Sequence, residues 1–259
     1  MTNTARSGMY SERIHRMRVL FMQHDAFSPP TLVSERFADH GFEVVEELIV
    51  GAEQYDTPGE VSYQFPDPTA FDVIVPMGSP WGAWDDVAIG EWLLPELEWL
   101  KQADAVGVPV LGICFGGQLL ARAHGGSVGR APDCEIGWTS LWSDDESLIP
   151  PGPWFSFHYD RWELPPGAHE IARTSRASQA FTLRKNLALQ FHPELTADML
   201  AGWCGSPGGG RELIIKDGQD PEVLLAFTRA EEAKSRSRAH ALVDSFLRQV
   251  AGLGHLVGS

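Results

Sequence analysis

Cysteine is scarce in this chain. There are three, Cys114, Cys134 and Cys204, with no C-x-x-C pair and no cysteine–histidine cluster. An odd, small count argues against a disulfide framework and against zinc, and fits a reducing compartment. Long apolar runs are missing as well: none approaches the ~20 residues that span a bilayer. Met1 to Arg18 carries Arg6, Arg13, Arg16 and Arg18 but no apolar stretch. A secretory signal is therefore not expected there, and residues 1–16 read as a flexible tail. Positive charge is also short, with 20 Lys and Arg against 35 Asp and Glu, for a formal net charge of -15. Nucleic acid and anionic membrane both need a basic surface, so neither is expected as a partner. Together these absences point to a cytoplasmic location. No Pro/Gly/Ser-rich linker separates comparable halves, and no internal repeat is visible.

What is present is 259 residues, 43% hydrophobic and 21% charged, enough for one sizeable core. Strand-like runs cover Met17 to Met22, Phe42 to Val50, Phe71 to Pro76, Val108 to Ile113 and Asn186 to Phe191. Helical periodicity covers Pro30 to His40, Ala88 to Ala105 and the segment after Ile113. Pro95 within the second helix marks either its first turn or a kink. This alternation predicts an α/β fold, a mostly parallel sheet flanked by helices. Between Glu135 and Thr182 short β-like runs take over. Beyond Leu195 to Trp203 and a glycine-rich break at Gly205 to Gly210, a long helix is expected from about Pro221 to Val250. Leu242, Val243, Phe246, Leu247 and Val250 form its apolar stripe, which packs onto the domain or onto a second copy. The expected organisation is a tail over 1–16, a domain over 17–200 and a C-terminal helical extension over 201–259.

Chemistry concentrates at Gly112-Ile113-Cys114-Phe115-Gly116. This is a glycine-flanked nucleophile between a buried strand and a helix, the context of a nucleophile elbow. Glycines leave room where side chains would collide in the tight turn. Cys114 sits at a helix N-terminus, whose positive end favours a thiolate. The Phe115 N–H points where an oxyanion would develop. The bland alternative is a buried cysteine that only packs.

The longer string Gly112-Ile113-Cys114-Phe115-Gly116-Gly117-Gln118 resembles the G-x-C-x-G-x-Q signature of class I glutamine amidotransferases. Gln190-Phe191-His192-Pro193-Glu194 resembles the second signature of that family, H-P-E after a strand. The resemblance covers roughly Met17 to Glu194 and implies the flavodoxin-like fold of the family and a γ-glutamyl thioester on Cys114. His192 would take the Cys114 proton and return one to leaving ammonia, and Glu194 would hold the ring's tautomer. Met77-Gly78-Ser79-Pro80 is similar to the family's G-G-P turn, which makes Gly78 the second oxyanion donor. Gln118 matches the position that binds the backbone end of glutamine. Glu135-Ile136-Gly137-Trp138 lines the same pocket or is ordinary β structure.

Phe157-His158-Tyr159-Asp160 offers a rival histidine, and a similar turn lies near the active site in the family. His15, His24, His40, His124, His169, His240 and His255 lack a partner at catalytic or metal spacing and read as surface or structural. No cofactor and no metal are expected. The expected substrate is glutamine; with no synthase module visible in the chain, the ammonia passes to a separate synthase subunit, is released, or is not the point of the reaction. The runner-up is a γ-glutamyl peptidase or hydrolase acting on another γ-glutamyl amide. The loop Pro80-Trp81-Gly82-Ala83-Trp84, with Trp138, could then wall a larger leaving group. A silent binding module is disfavoured, because Cys114, His192 and Glu194 are all present. Oligomeric state is not legible.

Overall fold

In the computed structural model, residues 16–257 are described, so the expected tail, apart from Arg16, lies outside the described residues. The strand β1 (Arg18–Gln23) shows why a parallel sheet forms. Val19 and Phe21 face one layer while Leu20 and Met22 face the other, and none of the four is exposed. A strand apolar on both sides needs helices on both sides. β1 pairs in parallel with β2 (Glu43–Leu48) and β3 (Val73–Pro76), and β3 pairs with β4 (Val110–Ile113).

The remaining strands are β5 (Ser127–Ser140), β6 (Trp142–Ser143), β7 (Pro153–Glu163), β8 (His169–Arg173), β9 (Ser178–Leu183) and β10 (Asn186–Leu189). The main sheet has the order β2-β1-β3-β4-β10-β9-β8-β6, parallel as far as β10 and antiparallel beyond it. β5 and β7 form a separate antiparallel ribbon. The fold is α/β with a mostly parallel core.

One face is covered by α1 (Thr31–Asp39) and the other by α2 (Asp86–Ala105) and α3 (Phe115–Ala123). The helix α2 starts nearer Asp85 than the apolar pattern suggested, because the Asp85 side chain accepts from the Ala88 N–H at 3.0 Å and caps it. Pro95 lies inside the helix rather than at its first turn. Its missing N–H removes one intrahelical bond without ending the helix.

Three further helices follow: α4 (Ala197–Gly205), α5 (Gly210–Lys216) and α6 (Pro221–Ser245), the last running into a wider turn at Phe246–Val250. α5 begins inside the glycine-rich break, where composition predicted only loop. Leu242, Val243, Phe246 and Leu247 are fully buried against Val33, Phe37, Leu187 and Leu189. Each such side chain contributes about 1.5–3 kcal/mol by leaving water. Earlier, Leu200 at the end of the expected domain and Ile214 and Leu224 of the extension pack with Ile136 and Phe155 of the ribbon. Among the described residues no helix is long and apolar enough to cross a membrane.

Candidate active site

Cys114 occupies the turn between β4 and α3 with φ 51° and ψ −103°. A non-glycine residue rarely adopts positive φ, and such strain persists only where the surroundings impose it. Here they do. The Cys114 N–H donates to the Leu189 carbonyl at 2.7 Å, and the Gly116 N–H donates to the Met77 carbonyl at 3.0 Å. A Cβ on Gly116 would lie 2.0 Å from the Pro76 carbonyl oxygen, and one on Gly112 would lie 2.5 Å from the Gly116 oxygen. Only glycines let the elbow close this tightly. The Phe115 N–H belongs to the first turn of α3, whose donors have no intrahelical acceptor.

The second half of the site arrives on the chain leaving β10. The strand stops at Leu189, two residues short of the predicted run, because later backbone groups bond elsewhere. Gln190 N–H still bonds the Gln179 carbonyl of β9, but His192 N–H donates to the Phe155 carbonyl of β7 at 2.8 Å. That divergence carries His192 over the elbow. His192 Nδ1 lies 2.8 Å from Glu194 Oε1, and Glu194 is fully buried. Its own backbone carbonyl accepts from the Thr31 hydroxyl. The opposite nitrogen, Nε2, is buried with no nitrogen or oxygen partner. Burial opposes protonation of the ring, but the Glu194 carboxylate and Cys114 outweigh it, raising the His192 pKa to about 10. The indole of Trp203 meets the imidazole edge-on, centroids 5.0 Å apart.

Gly78 lies against both groups: a Cβ there would come within 3.1 Å of His192 Cε1 and 4.0 Å of Cys114 Cβ. Its carbonyl accepts from His24 Nδ1 at 3.1 Å. The Gly78–Ser79 peptide is trans, so the Ser79 N–H points away from His24. Ser79 also lines the cavity.

The cavity above Cys114 has a volume of about 140 Å³. Gln118 borders it and is 3% exposed. Its Nε2 donates to Gln190 Oε1 at 3.2 Å, and Gln190 Nε2 lies 3.6 Å from the Cys114 sulfur. Gln190, which in the sequence is only the lead-in to the second signature, thus links Gln118 to the thiol. Asp160 is buried, with Oδ1 in no hydrogen bond and the Arg130 Nε 3.5 Å away. Burial raises its carboxyl pKa, offset in part by Arg130. Asp25, also at the cavity wall, is likewise raised by burial although it accepts from Phe27 N–H and the Ser28 hydroxyl. Phe27, Tyr55, Trp81, Phe157 and Trp203 form an aromatic border.

The structure places the expected β-segment contacts elsewhere. Glu135 is buried between Gln179 Nε2 at 2.8 Å and His158 Nε2 at 3.3 Å. Gly137 faces Gln219 and Leu224 with φ +101°, and the Trp138 indole donates to Thr228 Oγ1 at 3.0 Å. None of the three lines the cavity over Cys114. The reason is the ribbon's register with β7 and its packing under the C-terminal extension, which takes up these side chains. His158 does reach the cavity, but its Nδ1 bonds the Asp160 carbonyl at 3.1 Å and its Nε2 faces Glu135. Of the loop tryptophans, Trp81 borders the cavity, while Trp84 stacks under the Arg130 guanidinium at 5.5 Å.

A mostly parallel sheet with a positive-φ cysteine at the end of a central strand, near a buried His–Glu pair, defines an α/β protein of the flavodoxin-like class. The chain belongs to the class-I glutamine amidotransferase family, whose model matches residues 90–199, a span containing Cys114, His192 and Glu194. A glutamine-hydrolyzing GMP synthase subunit from Ignicoccus hospitalis is 33% identical over 139 residues, covering 50% of this chain and 70% of that one. The glutamine-hydrolyzing GMP synthase of Aeropyrum pernix is 31% identical over 196 residues, 70% of this chain but 34% of that one. Gamma-glutamyl peptidase 4 of Arabidopsis thaliana is 32% identical over 167 residues, 57% of this chain and 64% of that one. The chain thus spans about a third of the Aeropyrum pernix relative and just under two thirds of the Arabidopsis thaliana one. The crystal structure of a glutamine amidotransferase from Thermotoga maritima shares the fold, with a TM-score of 0.74 at 24% identity over 91% of this chain and 100% of that one.

Proposed function

We infer that the chain hydrolyses the γ-amide of glutamine through a γ-glutamyl thioester on Cys114 and delivers the ammonia to a separate acceptor. The observation that carries this reading is the alignment of Cys114, His192 and Glu194, with Nδ1 of the ring taken by Glu194 and Nε2 left for the thiol. In the first step the Cys114 sulfur bonds to the γ-carbon, and its proton resides on His192. The carbonyl oxygen becomes an oxyanion facing the Phe115 N–H and the Gly78–Ser79 backbone. Collapse breaks the C–N bond, and His192 gives its proton to the leaving ammonia. Water then attacks the thioester, with His192 as base, and releases glutamate. Gln118 and the Asp160–Arg130 pair are the groups available to the α-amino and α-carboxyl end. A synthase subunit is the proposed partner and the cytoplasm the proposed location.

The aromatic border favours a second reading. Phe27, Tyr55, Trp81 and Trp203 offer more apolar surface than ammonia requires as a leaving group, and one relative is named a gamma-glutamyl peptidase. Side-by-side kinetics with glutamine and γ-glutamyl dipeptides separate the two. The amidotransferase reading predicts slow glutamine hydrolysis by the chain alone and faster hydrolysis with a synthase partner present, as closure aligns the donors. A strong preference for dipeptides, unaffected by any synthase, would replace it with the peptidase reading and leave the triad standing.

A further inference from the structure

His24 follows directly on β1, and Glu96 sits in the middle of α2; neither side chain is exposed at all. His24 Nε2 lies 3.1 Å from Glu96 Oε1 and 3.2 Å from Oε2, while Nδ1 lies 3.1 Å from the Gly78 carbonyl. A carbonyl oxygen can only accept, so Nδ1 carries the proton toward Gly78, and Nε2 and the carboxylate share the other. The imidazole is wedged between two rings. Trp92 stacks on it at 5.7 Å, and Phe115 meets it edge-on at 4.6 Å. One side chain therefore touches both sources of oxyanion donors, the Gly78 turn through a hydrogen bond and the elbow through the Phe115 ring.

Placing a carboxyl and an imidazole in a fully buried layer costs free energy that an apolar pair would not. Here the cost sustains a hydrogen bond aimed at one backbone carbonyl. That carbonyl belongs to the turn whose Gly78 abuts both His192 and Cys114. The bond from His24 ties the Gly78–Ser79 peptide in place beside the elbow.

The geometry points to His24 and Glu96 as positioning residues that hold the oxyanion-stabilising turn in its working orientation. This rests on the reading of Cys114 as the acylated nucleophile. The test compares two reactions of the Cys114 thiol in the full chain. Acylation by p-nitrophenyl acetate passes through an oxyanion; alkylation by iodoacetamide does not. His24→Phe is expected to slow acylation on the order of ten- to a hundredfold and to leave alkylation unchanged. His24→Asn, which keeps an N–H for the Gly78 carbonyl, is expected to recover most of the acylation rate. Equal changes in both reactions, or unchanged acylation in His24→Phe, would overturn the assignment. If His24→Phe does not fold, Glu96→Gln serves, since it keeps the polar contact and loses the charge. Its acylation should fall by a smaller factor at constant alkylation, and unchanged acylation there would also overturn the assignment. p-Nitrophenyl acetate needs no γ-glutamyl recognition. A wild-type chain that it acylates but that turns over no γ-glutamyl compound would sink the substrate reading alone.

Discussion

Cys114→Ser is expected to abolish γ-glutamyl hydrolysis, a loss on the order of 10⁴-fold or more, with little change in thermal unfolding. A serine hydroxyl is far less ionised than a thiol at neutral pH, and in the proposed mechanism His192 stabilises a sulfur anion. Serine is nearly the same size and inherits the same backbone conformation, held by the bonds to Leu189 and Met77. The other cysteines provide the control. Burial raises the pKa of the Cys134 thiol, which also donates to Asp217 at 3.1 Å, and burial raises that of Cys204. Neither sits at an elbow, and neither lines the cavity. Cys134→Ser and Cys204→Ser should leave turnover unchanged. Steady-state rates with differential scanning calorimetry check all three; full activity in Cys114→Ser would contradict the assignment.

His192→Ala is expected to cost on the order of 10³-fold or more in kcat, and Glu194→Gln less. Glutamine keeps an oxygen that can accept from Nδ1 but removes the charge that stabilises the protonated ring. Without that charge, the largest of the influences that oppose burial is gone and the His192 pKa moves down. The proton for the leaving group is then lost at lower pH, so the alkaline limb of the rate profile should shift to lower pH in Glu194→Gln. His158→Ala is expected to be milder, since both ring nitrogens are committed to the Asp160 carbonyl and Glu135. A severe His158→Ala with a mild His192→Ala would exchange their roles.

The candidate site is legible in the sequence where its groups are close together along the chain. Gly112 to Gln118 reads as an elbow because consecutive residues must satisfy one tight turn. His192 and Glu194 read as a pair because only one residue separates them. His24 and Glu96 do not read as a pair at all. Seventy-two positions apart, they meet only when β1 and α2 pack together, and nothing local to either marks the other. The end of β1, at the carboxyl edge of a parallel sheet, was the one available signal for His24, since ligand sites gather at that edge. In sequence, Glu135, Gly137 and Trp138 read equally as pocket lining or as ordinary β structure. Register with β7 and the extension's apolar face, both long-range, decide instead where they point. For the same reason α5 was hidden: its helix depends on Ile214 packing under the ribbon, not on the composition of Gly205 to Gly210.

The central claim is that Cys114 carries the γ-glutamyl group, and intact-protein and peptide mass spectrometry measures this directly. Wild-type chain incubated with glutamine or a γ-glutamyl dipeptide and quenched in acid should show one γ-glutamyl adduct, on the peptide containing Cys114. In His192→Ala that adduct should form more slowly. A γ-glutamyl adduct on Cys134 or Cys204, or turnover that continues with no adduct in Cys114→Ser, would contradict the account.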